Sequence, residues 1–266
     1  MSLLTISNLS FSYDSSAQVL DNVSITVKKG ETWAIIGKNG SGKSTFIRCL
    51  ARLEPIENDC ILLDDRELSE YSPIELSRKC AYVPQATQRQ PPNFTVEEYV
   101  LMGRYPYCGF PVRYSDHDKE IVDDALKLTD TLNFCKRSMR TLSGGELQRV
   151  FIAGAVAQRT GIMLLDEPVS FLDPMHQEMI QSSLSRIHDE YGTTLLTVTH
   201  DINSALRRNS HILALSNGKT VFRGSTGSFL EHSTEKLQEI YGITFETALG
   251  SLSGDQLFMP SRKVHY

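Results

Sequence analysis

Eight residues restrict this chain more than any others. Gly37-Lys38-Asn39-Gly40-Ser41-Gly42-Lys43-Ser44 match the pattern G-x-x-x-x-G-K-[ST]. The apolar run Trp33-Ala34-Ile35-Ile36 comes just before and reads as a buried strand. Thr45-Phe46-Ile47-Arg48-Cys49-Leu50 follows and reads as the start of a helix. Strand, glycine-rich loop and helix is the context in which the pattern has a physical meaning. The glycines let the backbone curl so that successive N–H groups point inward. The helix N-terminus adds partial positive charge. Lys43 then reaches β- and γ-phosphates, and the Ser44 hydroxyl ligates Mg²⁺. The run predicts a nucleoside triphosphate site lined by Gly37, Asn39, Gly40, Ser41, Gly42, Lys43, Ser44 and Thr45.

At 266 residues there is room for one large α/β domain or two small ones. The net charge of −5 gives no basic excess for a nucleic-acid track. The opening MSLLTISNLSFSYD lacks the basic and apolar regions of a secretory signal. No stretch approaches eighteen apolar residues, so no membrane-crossing helix is expected. The five cysteines, Cys49, Cys60, Cys80, Cys108 and Cys135, form no C-x-x-C pair and read as reduced, packed thiols of a cytosolic protein.

Short strand patterns dominate the first third: Leu4-Thr5-Ile6, Val23 to Val27, Trp33 to Ile36, Ile61-Leu62-Leu63 and Cys80 to Val83. Residues 43–52 are expected as helix. From Thr95 to about Gln158 the period becomes helical. Thr95 with Glu98 forms a capping-box signature, 116–129 reads as a second helix, and Ser143 starts a third. After this block, strands at Gly161 to Leu165 and Thr194 to Val198 alternate with helices at 174–191 and 201–208. Asn217-Gly218 predicts a tight turn between two further strands. The expected fold class is α/β: a mainly parallel sheet with an N-terminal antiparallel β subdomain and an inserted helical subdomain at about 88–158. One domain over 1–240 is expected, with 241–266 as a short tail forming a small β-hairpin.

Two more motifs carry chemistry. Ile162-Met163-Leu164-Leu165-Asp166-Glu167 is an apolar strand ending in carboxylates, which the fold class would place at the sheet's C-terminal edge beside the glycine-rich loop. Asp166 there suits Mg²⁺, and Glu167 suits polarising a water. An ordinary acidic turn after a strand is the plain alternative. Leu142-Ser143-Gly144-Gly145-Glu146 is a small-residue turn at a helix start, a second surface with exposed donors. One nucleotide needs one cradle, so a second suggests a nucleotide held by another copy. In isolation the same residues make a capped helix.

The glycine-rich loop, LSGGE, Leu164-Leu165-Asp166-Glu167-Pro168, and His200 after Leu195-Leu196-Thr197-Val198-Thr199 stand in the order of the ATP-binding-cassette ATPases, and the resemblance spans essentially the whole chain. It implies the P-loop NTPase core, ATP as substrate, Mg²⁺ as cofactor, and the following roles. Tyr13 matches the aromatic that stacks on adenine; by its residues alone it is also a strand-face aromatic. Gln85, in Tyr82-Val83-Pro84-Gln85, matches the glutamine that touches Mg²⁺, or else is a solvated turn residue. Asp173 matches a loop crossing a dimer interface and equally a helix cap before Pro174. His200 matches the γ-phosphate contact. Ser143, Gly144 and Gly145 would close on the partner copy's ATP.

The resemblance also implies partners: a head-to-tail homodimer sandwiching ATP, two separate transmembrane permease subunits, and indirectly a substrate-binding protein, with no nucleic acid. The site of action would be the cytoplasmic face of the cell membrane, as a peripheral subunit. Gly103-Arg104-Tyr105-Pro106 resembles the G-R-x-P stretch of ATPases that energise import of iron–siderophore complexes, haem and cobalamin. A zinc or manganese transporter, an exporter, or a soluble cassette protein are the other readings. Two positions depart from the common pattern: Lys38 replaces a frequent proline and Phe171 a frequent alanine. Lys38 either adds positive potential near the phosphates or points to solvent. Leu252-Ser253-Gly254-Asp255 echoes LSGGE but follows no helical block and is read as coincidence.

Overall fold

Alternation of apolar and polar residues makes the first strands, and asparagines break their register. A computed structural model of the chain describes residues 2–13, 18–56, 60–85, 91, 93–249 and 256–261. The start of the expected helical block at 88–90 and the Leu252 to Asp255 echo lie outside the described residues. Strand β1 (Ser2–Ser12) buries Leu4, Ile6, Leu9 and Phe11. The switch from even to odd positions falls at a register shift between Ile6 and Leu9. Asn8 sits there at φ 54°, a conformation asparagine tolerates. Its partner β2 (Gln18–Lys28) carries Asn22 at the same φ. Each irregular amide is satisfied across the pair: Asn8 N–H donates to Ser24 Oγ (2.8 Å) and Asn22 N–H to Ser10 Oγ (3.0 Å).

The chain divides into two compact units, Met1–Leu68 with Leu196–Tyr266, and Ser69–Leu195. In the first unit, β1 pairs antiparallel with β2 and with β4 (Ile61–Leu63), and β4 with β5 (Arg66–Glu67), giving the order β2-β1-β4-β5. Strand β3 (Thr32–Ile36) leads through the glycine-rich loop into helix α1 (Lys43–Leu50), shorter than the expected 43–52 because Ala51 caps it.

The second unit opens with α2 (Pro73–Lys79), a helix whose Ser72–Glu75 capping box the strand-biased reading of that region overlooked. Strand β6 (Cys80–Val83) follows. Helices α3 (Val96–Met102), α4 (Asp116–Leu128) and α5 (Gly144–Ala157) each begin with a capping box, from Thr95/Glu98, Ser115/Asp118 and Ser143/Glu146. Strand β7 (Ile162–Asp166) is buried throughout and runs parallel to β6. Helix α6 (Pro174–Tyr191) starts at Pro174 and stops at Gly192, which takes φ 62°. Val100, Leu126, Met139, Phe151, Ile152 and Ile180 are among the core residues of this unit.

Strand β8 (Thr194–Val198) begins with Thr194 N–H bonded to Gly161 O (3.0 Å); at its far end Thr199 N–H donates to Ile35 O of β3 (3.1 Å). Helix α7 (Ile202–Arg208) follows, capped by Asp201. Strand β9 (His211–Ser216) lies parallel to β3, and β10 (Lys219–Ser225) folds back on it antiparallel. Their Asn217-Gly218 turn has φ 49° and 76°, the two positive values such a two-residue turn needs. Helices α8 (Thr226–Glu231) and α9 (Ser233–Tyr241) and a hairpin of β11 (Phe245–Leu249) with β12 (Gln256–Pro260) complete the chain. Ile36, Ala214, Phe229, Leu237, Ile240, Phe245 and Phe258 form one core cluster there. Among the described residues, no helix is long and apolar enough to cross a membrane.

Arg104 and Asp118 form a buried ion pair in the second unit. Arg104 Nε donates to Asp118 Oδ1 (2.9 Å), its Nη1 donates to Ala157 O (2.8 Å), and its guanidinium stacks over Tyr107 at 4.0 Å. Burial acts to raise the Asp118 pKa, but hydrogen bonds from Ser115 and Arg104 outweigh it and pull it down to about 2. A depressed carboxyl stabilises the fold at pH above its unfolded value near 4, and that contribution disappears as pH falls through about 2. Arg104→Ala strands a buried carboxylate and is expected to cost roughly 3–5 kcal/mol, read from the urea unfolding midpoint.

Candidate functional site

The loop between β3 and α1 is shaped by glycines that nothing else could replace. A Cβ at Gly37, which has φ 151°, would stand 2.2 Å from Leu215 O and 2.6 Å from Ser41 Oγ. At Gly42, the α1 N-cap with φ 98°, it would meet Val19 O and Leu20 Cδ2 at 2.8 Å. Gly42 offers no capping side chain, so the first turn of α1 keeps its N–H groups for a ligand. The turn between β9 and β10 supports the loop from behind: Gly218 N–H donates to Ser41 O (3.2 Å).

Within the loop, Lys43 is 5% exposed, and its ammonium donates to Gly37 O and Lys38 O, both at 2.9 Å. The Ser41 hydroxyl is buried and has no hydrogen-bond partner among the described residues. A buried orphan hydroxyl beside a buried ammonium is costly unless an anion with several oxygens completes the set. Asn39 and Gly40 are exposed on the outer turn, and Ser44 lies half-buried in the first turn of α1. Thr45 Oγ1 is 3.2 Å from the Tyr13 hydroxyl, which also donates to Glu54 Oε1 (3.3 Å). Tyr13 stands edge-on to Phe11, with a ring 52% exposed and open to stacking. His200 is exposed just past β8, and Asp201 caps the helix after it through Ser204 N–H (3.1 Å).

In the second unit, β7 ends at Asp166, 1% exposed, whose Oδ2 accepts from the Tyr82 hydroxyl (3.4 Å). Glu167 follows at φ 49°, a strained conformation for this residue type. The turn presents its carboxylate to two donors. Ser170 Oγ donates to Glu167 Oε2 at 2.7 Å, and Gln85 Nε2 donates to the same oxygen at 3.4 Å. Ser170 is a site residue that the sequence reading missed; a serine three positions past a strand-end carboxylate was the available signal. Gln85 and Glu167, separated by 82 positions, are brought together.

Ser143 caps α5 reciprocally: Ser143 N–H donates to Glu146 Oε2 (2.8 Å) and Glu146 N–H to Ser143 Oγ (3.3 Å). Burial acts to raise the Glu146 pKa, but bonds from Ser143 and Arg137 hold it below the usual value. Gly144 has space around it, whereas a Cβ at Gly145 would stand 2.4 Å from the His176 ring. His176 Nδ1 is 2.6 Å from Asp173 Oδ2, and Asp173 Oδ1 accepts from His176 N–H (3.0 Å). The LSGGE turn and the Asp173 loop therefore pack as one piece. Phe171, at φ 63° and 82% exposed, projects from that piece.

A family model described as ABC transporter matches residues 20–170. The petrobactin import ATP-binding protein of Bacillus anthracis is 38% identical over 87% of this chain and 84% of its own length. The ferric enterobactin transport ATP-binding protein of Escherichia coli (strain K12) is 37% identical over 91% of this chain and 88% of its own. Among solved structures, a transporter described as metal-chelate type, in an inward-facing conformation, aligns with TM-score 0.84 and 26% identity over 99% of both chains. A dimeric ATP-binding cassette bound to ADP and Pi aligns with TM-score 0.72 and 28% identity, covering 84% of this chain and 98% of that one. The chain belongs to the ABC transporter family, as one of its ATP-hydrolysing subunits.

Proposed function

We propose that the chain energises import of a metal chelate, of the iron–siderophore, haem or cobalamin class, through separate permease subunits at the cytoplasmic face of the cell membrane. The observation that carries the nucleotide half of this reading is the buried Lys43 ammonium beside the orphan Ser41 hydroxyl. ATP phosphates would give the ammonium better partners than loop carbonyls do, and would give the hydroxyl an acceptor. Tyr13 stacks on adenine; Gly37, Asn39, Gly40, Gly42 and Thr45 shape and line the loop. Ser44, Gln85 and Asp166, all oxygen donors suited to a hard cation, would hold Mg²⁺, which would supply charge neutralisation at the phosphates.

Glu167 acts as general base toward the attacking water, positioned by Ser170 and Gln85. His200 contacts the γ-phosphate. Two copies associate head to tail, and Ser143, Gly144, Gly145 and Asp173 of each close on the other's ATP; the dimeric ADP-bound relative supports this arrangement. Residues 1–240 work as one cassette, with the helical block at about 88–158 facing the permease and 241–266 as an appended tail.

The cargo class rests on the named relatives and on Gly103 to Pro106. Gly103 is fixed there by close packing, since a Cβ would stand 2.4 Å from Gly154 O. Reconstitution of the co-purified permease with this subunit in vesicles tests the reading. ATP-dependent uptake of a ferric siderophore, haem or cobalamin is expected. Uptake of free Zn²⁺ or Mn²⁺ alone would contradict it.

A further inference from the structure

The C-terminal region touches the nucleotide loop and the segment after His200 at once. Helix α9 ends at Tyr241 and Gly242, the latter at φ 69°. A Cβ at Gly242 would stand 3.0 Å from Lys38 Nζ, so the Lys38 ammonium lies over the C-terminal end of α9. Helix carbonyls concentrate partial negative charge at that end. Lys38 is exposed, yet its charge is directed at the tail, a placement its replacement of proline did not foretell.

Tyr241 packs against Phe245 with ring centroids 5.8 Å apart. Its hydroxyl is buried and has no hydrogen-bond partner among the described residues. Burial pushes the phenol up to about 12 against an opposing pull from the Gly37 amide, while the Asp201 carboxylate adds to the rise.

The hairpin makes a second attachment. Asn203 Nδ2 donates to Phe258 O (3.1 Å), and Phe258 N–H donates to Asn203 Oδ1 (2.8 Å). The amide of α7 completes β12 as a neighbouring strand would. An isolated two-stranded hairpin is marginal in water. This one is held by these bonds and by burial of Phe245 and Phe258 in the core cluster of the first unit.

We propose that the C-terminal hairpin and the end of α9 form a positioning element for ATP hydrolysis, with the contact of Lys38 at the end of α9 fixing the start of the nucleotide loop and Asn203 fixing the segment that carries His200. The proposal rests on the reading of the Lys43 loop as the ATP site. Its two attachments reach different parts of the reaction. The Lys38 arm governs how well the loop is shaped for phosphates, hence affinity. The Asn203 arm governs where the His200 segment stands, hence the rate of the bound state.

MgATP dissociation constants and kcat for the full-length parent and three variants test this. Lys38→Met keeps most of the side-chain stem but removes the ammonium that lies over the end of α9, and is expected to weaken MgATP binding about fivefold with kcat unchanged, the size of effect a lost charge–helix-end contact gives. Asn203→Ala is expected to lower kcat about fivefold with affinity near the parent's. Met259→Ala, on the half-exposed side of β12, is expected to alter neither. A merely structural role would lower the melting temperature and leave both constants alone, and that outcome overturns the proposal. So does faster hydrogen exchange at the Phe258 amide in Asn203→Ala with parental kcat. If Asn203→Ala fails to fold, Lys38→Met decides alone, and an unchanged affinity overturns the proposal. A parent chain that neither binds nor hydrolyses MgATP would instead remove the ATPase reading beneath it.

Discussion

Glu167→Gln is expected to lower steady-state ATP hydrolysis by about 100- to 10,000-fold, the range over which a positioned general base acts. The substitution is close to isosteric. The glutamine carbonyl still accepts from Ser170, whose hydroxyl stands 2.7 Å from the native carboxylate. The strained φ of 49° is a backbone property and persists. What is lost is the ability to take a proton from water. MgATP affinity should therefore stay near the parent's while turnover collapses, which separates loss of chemistry from loss of binding. Phosphate release under single-turnover conditions checks this, and an unchanged rate would remove Glu167 from its role.

Lys43→Ala is the second large effect. The ammonium is buried and donates two hydrogen bonds to loop carbonyls at 2.9 Å. Truncation removes a charge-assisted contact to phosphate and leaves Gly37 O and Lys38 O without that donor. Removing one member of such a buried charge pair costs roughly 2–5 kcal/mol, so MgATP affinity should fall about 100-fold or more. Equilibrium titration with MgATP and MgADP reads it. Affinity within threefold of the parent would mean that the loop does not hold the phosphates.

Much of this molecule was legible because its rules are local. Gly37 and Gly42 announce a loop in which a Cβ has no room. Thr95 with Glu98 and Ser143 with Glu146 announce helix starts, since each spacing of three lets side chain and backbone cap each other. Asn217-Gly218 announces a turn because both residues accept positive φ. What stayed hidden depends on chain reversal and long-range contact. Ser170 reaches Glu167 only because the backbone turns back at Glu167 itself. The capping box of Ser72 with Glu75 obeyed the same local rule and was passed over amid strand patterns. The destination of Lys38 depends on a helix ending some two hundred residues later, which no local pattern encodes.

Sedimentation of the full-length Glu167→Gln variant, with and without saturating MgATP, tests most directly whether two copies share the nucleotide. The expected result is monomer without nucleotide and, with it, a dimer holding two ATP molecules, reversed by a second substitution at Lys43. Monomer that stays monomer while ATP is fully bound would contradict it.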